Sequence, residues 1–221
     1  MKDKANILIV DDHPIFKTGL KTVLIKTNLF ASFYDAKNGL EAIEIVTKEK
    51  IDLILMDISM PEMNGVEATA KIMKIRPNIK IIALTMYCDS RYVYELFKNG
   101  AKGYLLKDAP YQEVCKAINM VLKGDEYYSP KVQLILATVY KEYSKGSSKY
   151  DEHFEITNMQ KQVLQLLCKQ YSSEDIAKEL GLSVNTVYRH RQDLLDRTKS
   201  TNLAGLVIYA IEQGIIYVGV K

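Results

Sequence analysis

Ile51-Asp-Leu-Ile-Leu-Met-Asp57 is a short apolar run that stops at a carboxylate. A run of this length fits a strand buried on both faces, and such strands belong in parallel sheets. Similar runs stand at Asn6–Val10, Ile79–Leu84 and Gly103–Leu106, with a weaker one at Phe30–Ala36. Between them lie stretches of helical period. Leu40, Ile43 and Thr47 share one face, with Ile45 and Val46 adjoining. Val66, Thr69, Ala70 and Met73 form another, Val93, Leu96 and Phe97 a third, and Val114, Ala117, Ile118, Val121 and Leu122 a fourth. Pro14 suits the first turn of a helix, where its missing N–H costs nothing. Five strands alternating with five helices predict an α/β layer, a five-stranded parallel sheet covered on both faces.

The second half has a different rhythm, with no strand alternation between Tyr128 and Gln213. Val132, Ile135, Leu136, Val139, Tyr140 and Tyr143 have the spacing of a connecting helix. The polar run Ser144-Lys-Gly-Ser-Ser-Lys149 then reads as a flexible linker. Helical stretches follow at Thr157–Lys169, Ser173–Leu180, Val184–Thr198 and Leu203–Gln213. The Leu180-Gly-Leu-Ser183 joint places a glycine between two short helices, as a helix-turn-helix does. The expected plan is a first domain at 1–125, a connecting helix and linker at 126–151, and an all-α domain at 152–221.

Composition excludes several classes. Hydrophobic content of 48% with 26% charged residues is an ordinary globular balance, so a disordered chain is not expected. Net charge is only +3, which does not announce a nucleic-acid binder. The apolar run Ile7–Val10 is too short for a signal peptide core or a membrane span, so a cytoplasmic protein with no membrane partner is expected. Cys88, Cys115 and Cys168 lie far apart without CxxC spacing, which favours buried free thiols over a disulfide framework or zinc.

In an open parallel sheet, ligands bind beyond the carboxyl ends of the strands. The first strand ends in Asp11 and Asp12, the third in Asp57, the fourth in Thr85 and the fifth in Lys107. Clustered carboxylates repel one another, and a divalent cation relieves the repulsion. Oxygen ligands with open positions for water and phosphate favour Mg²⁺ over zinc. The cation would neutralise an incoming phosphoryl group. Asp57 is the nucleophile candidate, because carboxylates form aspartyl phosphates. Lys107 would pair with one phosphoryl oxygen and Thr85 would hydrogen-bond another.

These residues bring a resemblance. Ile7-Leu-Ile-Val-Asp-Asp-His-Pro14, Ile54-Leu-Met-Asp-Ile-Ser-Met-Pro61 with Gly65, Ala83-Leu-Thr85 and Gly100-Ala-Lys-Gly-Tyr-Leu-Leu-Lys107 resemble the motifs of response-regulator receiver domains, which are flavodoxin-like (βα)5 folds. The resemblance spans about residues 5–123. It implies that Asp57 accepts phosphate from a sensor histidine kinase or a small phosphodonor. It implies Mg²⁺ held by Asp12 and Asp57, helped by Asp11 through water and by the Ser59 backbone carbonyl. It further implies a switch in which Thr85 moves towards the phosphoryl group and Tyr104 turns inward. Many receivers have proline directly after the lysine; here Asp108 follows, with Pro110 beyond, as in regulators similar to NarL and FixJ. Met86 is larger than the residue common after the threonine and narrows access to the phosphate.

Residues 151–221 hold eight Lys/Arg and nine Asp/Glu, so this part is not a generic basic domain. Yet Arg189, Arg191, Arg197 and Lys199 fall close together, and local charge is what neutralises phosphates. On a helix over Val184–Thr198, Val187 and Leu194 face inward, flanked by His190 and Arg191. Asn185, Arg189, Gln192 and Asp196 lie opposite, with Tyr188 beside them. Asn, Arg and Gln suit bidentate reading of base edges in the major groove. Ile156-Thr157, Val163-Leu164, Leu167, Ile176-Ala177, Leu180, Ser183, Thr186-Val187, His190 and Leu194-Leu195 resemble the LuxR-type helix-turn-helix. That resemblance puts Thr186, Tyr188, Arg189, His190 and Gln192 at duplex DNA and makes helix 203–213 a dimer face. Met159-Gln160 replaces the usual Arg-Glu pair, and Tyr188 stands where a lysine is usual.

The expected function is a non-enzymatic transcription regulator, a homodimer when Asp57 is phosphorylated. A phosphohydrolase shares the acidic site, but Ser59 stands where its second acid–base residue would be. A signalling module that binds only protein is the other alternative.

Overall fold

In the computed structural model, residues 4–86, 90–133, 135, 156–200 and 202–216 are described. Two compact units divide between Ser129 and Pro130. The first unit alternates β1 (Ala5–Val10), α1 (Pro14–Ile25), β2 (Phe30–Ala36), α2 (Gly39–Lys48), β3 (Leu53–Asp57), α3 (Gly65–Ile75), β4 (Lys80–Thr85), α4 (Ser90–Lys98), β5 (Gly103–Leu106) and α5 (Tyr111–Leu122). With β6 at Tyr127–Tyr128, the strand order is β2-β1-β3-β4-β5-β6, and each adjacent pair is parallel. The chain winds one way from β1 to β2 and the other way from β3 onward. The crevice of such a sheet therefore opens at the carboxyl ends of β1 and β3.

Strand burial explains the near-continuous apolar runs. Ile7, Ile9, Leu53, Leu55, Ile82 and Leu84 pack on one side with Leu24 of α1 and Val114, Ile118 and Val121 of α5. Leu8, Val10, Ile54, Met56 and Ile81 pack on the other with Ala42 and Val46 of α2 and Ala68 and Ile72 of α3. Consecutive residues thus serve opposite cores, which is why an alternating polar pattern is missing.

Two expectations need correction. The sheet has six strands, not five, because Tyr127–Tyr128 form β6 beside β5. Two residues are too short to show alternation. They are held by side chains: the Tyr127 hydroxyl donates to Glu113 (3.1 Å) and the Tyr128 hydroxyl to the Ala101 carbonyl (3.0 Å). The buried face of α2 is Gly39, Ala42 and Val46, while Leu40 is exposed. That of α3 is Gly65, Ala68, Thr69 and Ile72. Small residues face inward because α2 sits close to the turn before α3. A Cβ on Gly39 would lie 2.7 Å from Met63 Cγ and 2.8 Å from Ala68 Cβ.

The second unit contains α6 (Asn158–Cys168), α7 (Ser173–Leu180), α8 (Val184–Arg197) and α9 (Leu203–Glu212). Each starts at a side-chain cap: Thr157, Ser172, Ser183 and Asn202 accept from backbone N–H groups of the first turn. Gly181 ends α7 in the left-handed region (φ 65°), where a side chain would be strained. The unit's core joins Val163, Leu164 and Leu167 of α6, Ile176 of α7, Val187 and Leu194 of α8, and Leu206 of α9. Residues 130–133 are helical, but the rest of the expected connecting helix and the Ser144–Lys149 linker lie outside the described residues. Cys88 does too; Cys168 is buried and Cys115 half-buried, both free. Among the described residues, no helix is long and apolar enough to cross a membrane.

Candidate functional site

The strand ends converge as the topology requires. Asp11 follows β1, Asp57 closes β3, Thr85 closes β4 and Lys107 follows β5; Asp11, Asp57, Thr85 and the Lys107 side chain are almost wholly buried. Lys107 Nζ lies 2.7 Å from Asp11 Oδ2 and 2.8 Å from Asp57 Oδ2, so one ammonium bridges two carboxylates from different strands. Its backbone is fixed too, since the Lys107 N–H donates to the Thr85 carbonyl at 2.7 Å. The Phe16 ring of α1 lies 4.9 Å from the ammonium and adds a cation–π contact. Without proline after Lys107, the turn closes by the Ala109 N–H donating to the Leu106 carbonyl (3.0 Å), and Pro110 then caps α5.

Asp57 is held by its own neighbourhood. Its Oδ1 accepts the Ile58 N–H at 2.8 Å. Gly65, the first residue of α3, donates its N–H to the Ile58 carbonyl at 2.9 Å. A Cβ on Gly65 would lie 2.0 Å from the Asp57 carbonyl oxygen, so only glycine lets α3 approach the strand end. Burial pushes the Asp57 carboxyl above its ordinary range, and Lys107 only partly opposes this. Burial alone would lower the Lys107 pKa, but hydrogen bonds to Asp11 and Asp57 carry it above the ordinary lysine value. The pocket therefore holds a carboxylate that is short of positive charge, beside a lysine that stays protonated.

Acceptor atoms of Asp11, Asp12, His13 and Asp57 lie within 4.8 Å of one another, a grouping that could hold a metal ion. His13 is the residue that sequence reasoning missed. Its backbone N–H donates to Asp11 Oδ1 (2.8 Å), and its Nδ1 lies 2.8 Å from Asp12 Oδ1 and 3.2 Å from Asp11 Oδ1. Its place directly after the paired aspartates was the available signal. Ser59 sits exposed in the bend after Asp57. Tyr104 is 1% exposed, inside the sheet, and its carbonyl accepts the Ser129 N–H next to β6 (3.1 Å). Met86 is exposed just past Thr85.

In the second unit, α8 presents Asn185, Arg189, Gln192 and Asp196 to solvent, with Thr186, Tyr188 and His190 half-buried at the flanks. The basic cluster read from the sequence is thinner in space. Arg191 is buried, and Arg197 Nε lies 2.8 Å from Asp193 Oδ1. Gln192 donates to Asp196 (2.8 Å), and Thr186 shares a hydroxyl contact with the capping Ser183 (2.8 Å). Arg189 is left as the exposed cation in the middle of the helix. Helix α9, expected as a dimer face, has Leu203, Ala204 and Leu206–Ala210 buried.

A buried acid–lysine pocket at the switch point of a parallel sheet, joined to a capped helix-turn-helix, defines a class. The family description "Response regulator receiver domain" matches residues 7–119, and "Bacterial regulatory proteins, luxR family" matches residues 155–210. The chain belongs to the two-component response regulators that carry a receiver followed by a LuxR-type DNA-binding domain, and it is a transcription regulator of that family. It is similar to the transcriptional regulatory protein DegU of Brevibacillus brevis, at 33% identity over 98% of this chain and 97% of that one. It is 32% identical to the oxygen regulatory protein NreC of Staphylococcus carnosus, over 95% and 98% of the two chains. The crystal structure of a LuxR-family two-component response regulator from an Aurantimonas species has a TM-score of 0.59 at 29% identity. It covers 63% of this chain and 99% of its own.

Proposed function

We propose that Asp57 is the phosphoacceptor and that its phosphorylation, with Mg²⁺ bound, controls duplex-DNA binding through α8. The observation that carries this reading is the Asp11–Lys107–Asp57 bridge, in which Lys107 Nζ touches both carboxylates at 2.7 and 2.8 Å. Phosphorylation would convert the Asp57 carboxylate into a dianionic acyl phosphate, and Lys107 is already placed to pair with it. Thr85, whose backbone is tied to that of Lys107, is the nearest hydroxyl on the neighbouring strand to accompany it. The donor set fits the ion: Asp12 and Asp57 would hold Mg²⁺ directly, with Asp11 through water and the Ser59 carbonyl completing the cage. When bound, the ion supplies the positive charge that a buried Asp57 lacks. Tyr104, inside the sheet two strands from Asp57, would report the change on the surface formed by α4, β5 and α5.

In this reading a sensor histidine kinase supplies the phosphoryl group. Asn185, Thr186, Tyr188, Arg189, His190 and Gln192 meet the DNA, and a phosphorylated homodimer offers two recognition helices to two half-sites. The receiver spans 1–125 and the DNA-binding domain 152–221, and the protein works in the cytoplasm. The test is duplex binding with Mg²⁺ and acetyl phosphate, for wild type and Asp57→Asn. The expected result is tighter specific binding on phosphodonor treatment of the wild type and none in the variant. Equal affinity with and without the donor would overturn the control.

A further inference from the structure

We infer that Gln160 is a positioning residue for the recognition helix α8, acting through Asp193; the inference rests on the DNA-binding reading of α8. Gln160 is the third residue of α6 and is 5% exposed, although it is a polar side chain in a small domain. Its two ends do different work. The side-chain oxygen accepts the Thr157 N–H at 2.9 Å, while the Gln160 N–H donates to Thr157 Oγ1 at 3.2 Å, a reciprocal capping box. The side-chain amide reaches across to α8 and donates to Asp193 Oδ2. Asp193 in turn uses Oδ1 to hold Arg197 one turn further along. The start of α6 is thus tied to the middle of α8 at Asp193, one turn after Arg189 and beside the face that carries Asn185, Arg189 and Gln192. The tie fixes the rotation and depth of the helix that presents those side chains.

The chemistry has a polarity that a nearly isosteric change can test. A glutamate at 160 would serve the capping box equally well, because only an acceptor is needed there. It would even be favoured by the helix dipole, which attracts an anion in the first turn. But it cannot donate to Asp193, and it would bring two carboxylates together where the amide now donates. Local helix chemistry therefore favours Gln160→Glu, and the contact across to α8 opposes it. The sign of the measured effect separates the two. Asp193→Asn reverses the demand: an amide at 193 donates to a carboxylate at 160 and also accepts from Gln160.

Full-length wild type, Gln160→Glu, Asp193→Asn and the double variant would be compared. Affinity for a random-sequence duplex at low salt and thermal unfolding of the helical unit are the two readouts. Gln160→Glu is expected to weaken DNA binding by about fivefold, as loss of a partly exposed charged contact does. It should also lower the unfolding temperature by about 4 °C. The double variant is expected to restore both to within about twofold and about 1 °C of wild type. Gln160→Glu binding like wild type, or a double variant no better than Gln160→Glu, would overturn the inference. So would a fall in unfolding temperature with unchanged affinity, which makes Gln160 a stability contact alone. A wild type that binds no duplex at any salt would overturn the DNA reading itself, and the positioning role with it. That failure is visible in the wild type without any variant.

Discussion

The two functional surfaces of this chain are built on opposite plans. The acidic pocket is buried, assembled from four strand ends, and shares one ammonium between two carboxylates. The α8 surface is exposed, comes from one helix, and has several of its charges already spoken for by neighbours. An unpaired buried charge is costly, so the pocket shares Lys107 between Asp11 and Asp57 and draws further positive charge from a bound cation. An exposed site can leave its charges to water and later exchange water for phosphate. The pocket is therefore sensitive to small changes in geometry, and the helix to changes in charge count.

The largest expected effect tests the geometric half. Gly65→Ala places a methyl 2.0 Å from the Asp57 carbonyl oxygen, a backbone atom that cannot swing away. Overpacking of that severity should destabilise the receiver by about 3 kcal/mol. Urea unfolding of the receiver transition measures it. A loss below about 1 kcal/mol would show that the turn between β3 and α3 yields more easily than a buried site should.

Asp57→Asn gives the next effect, opposite in sign. The Asp57 carboxyl is raised above its ordinary value chiefly by burial. Between its unfolded and folded pKa it binds more protons in the folded state, so stability falls as pH rises through that window. Above the window the penalty is complete. Replacing the carboxylate with a neutral amide should therefore stabilise the metal-free receiver at neutral pH by about 1 kcal/mol. The gain should shrink as pH falls through that window and vanish below about 4, where the unfolded carboxyl is protonated too. Unfolding curves at the two pH values check this. A variant less stable than wild type at neutral pH would mean that the ion pair with Lys107 outweighs the burial of Asp57.

The same contrast governs how much was legible in the sequence. The β1, β3, β4 and β5 ends were readable because both-face burial writes an apolar run that must stop where the chain leaves the sheet. Asp57, Thr85 and Lys107 followed from those stops. The covering faces of α2 and α3 were misjudged, because counting bulky apolar residues chose Leu40 where close approach demands Gly39 and Ala42. Strand β6 escaped because its signal lies in tertiary contacts of Tyr127 and Tyr128, not in period. On α8 the inward residues Val187 and Leu194 were legible, but the fate of the polar ones was not. Nothing in linear spacing says that Arg191 is buried or that Asp193 engages both Arg197 and Gln160.

That last point gives the smallest prediction, and it bears on charge count. Linear reading treats Arg189 and Arg197 as equal members of one basic cluster. In the structure, Arg189 stands exposed on the outer face, while Arg197 lies against Asp193. An arginine that releases counterions on meeting phosphate contributes about one unit to the slope of log affinity against log salt. Arg197 would first have to give up Asp193, which returns part of what it gains. Arg189→Ala is therefore expected to weaken duplex binding by about fivefold and flatten the salt slope by about one unit. Arg197→Ala should cost about twofold or less and barely change the slope. Salt titrations of the two variants against one duplex measure the difference. Equal slopes would mean that Arg197 leaves Asp193 on binding, so that the α8 surface spends its charges as freely as the sequence alone suggests.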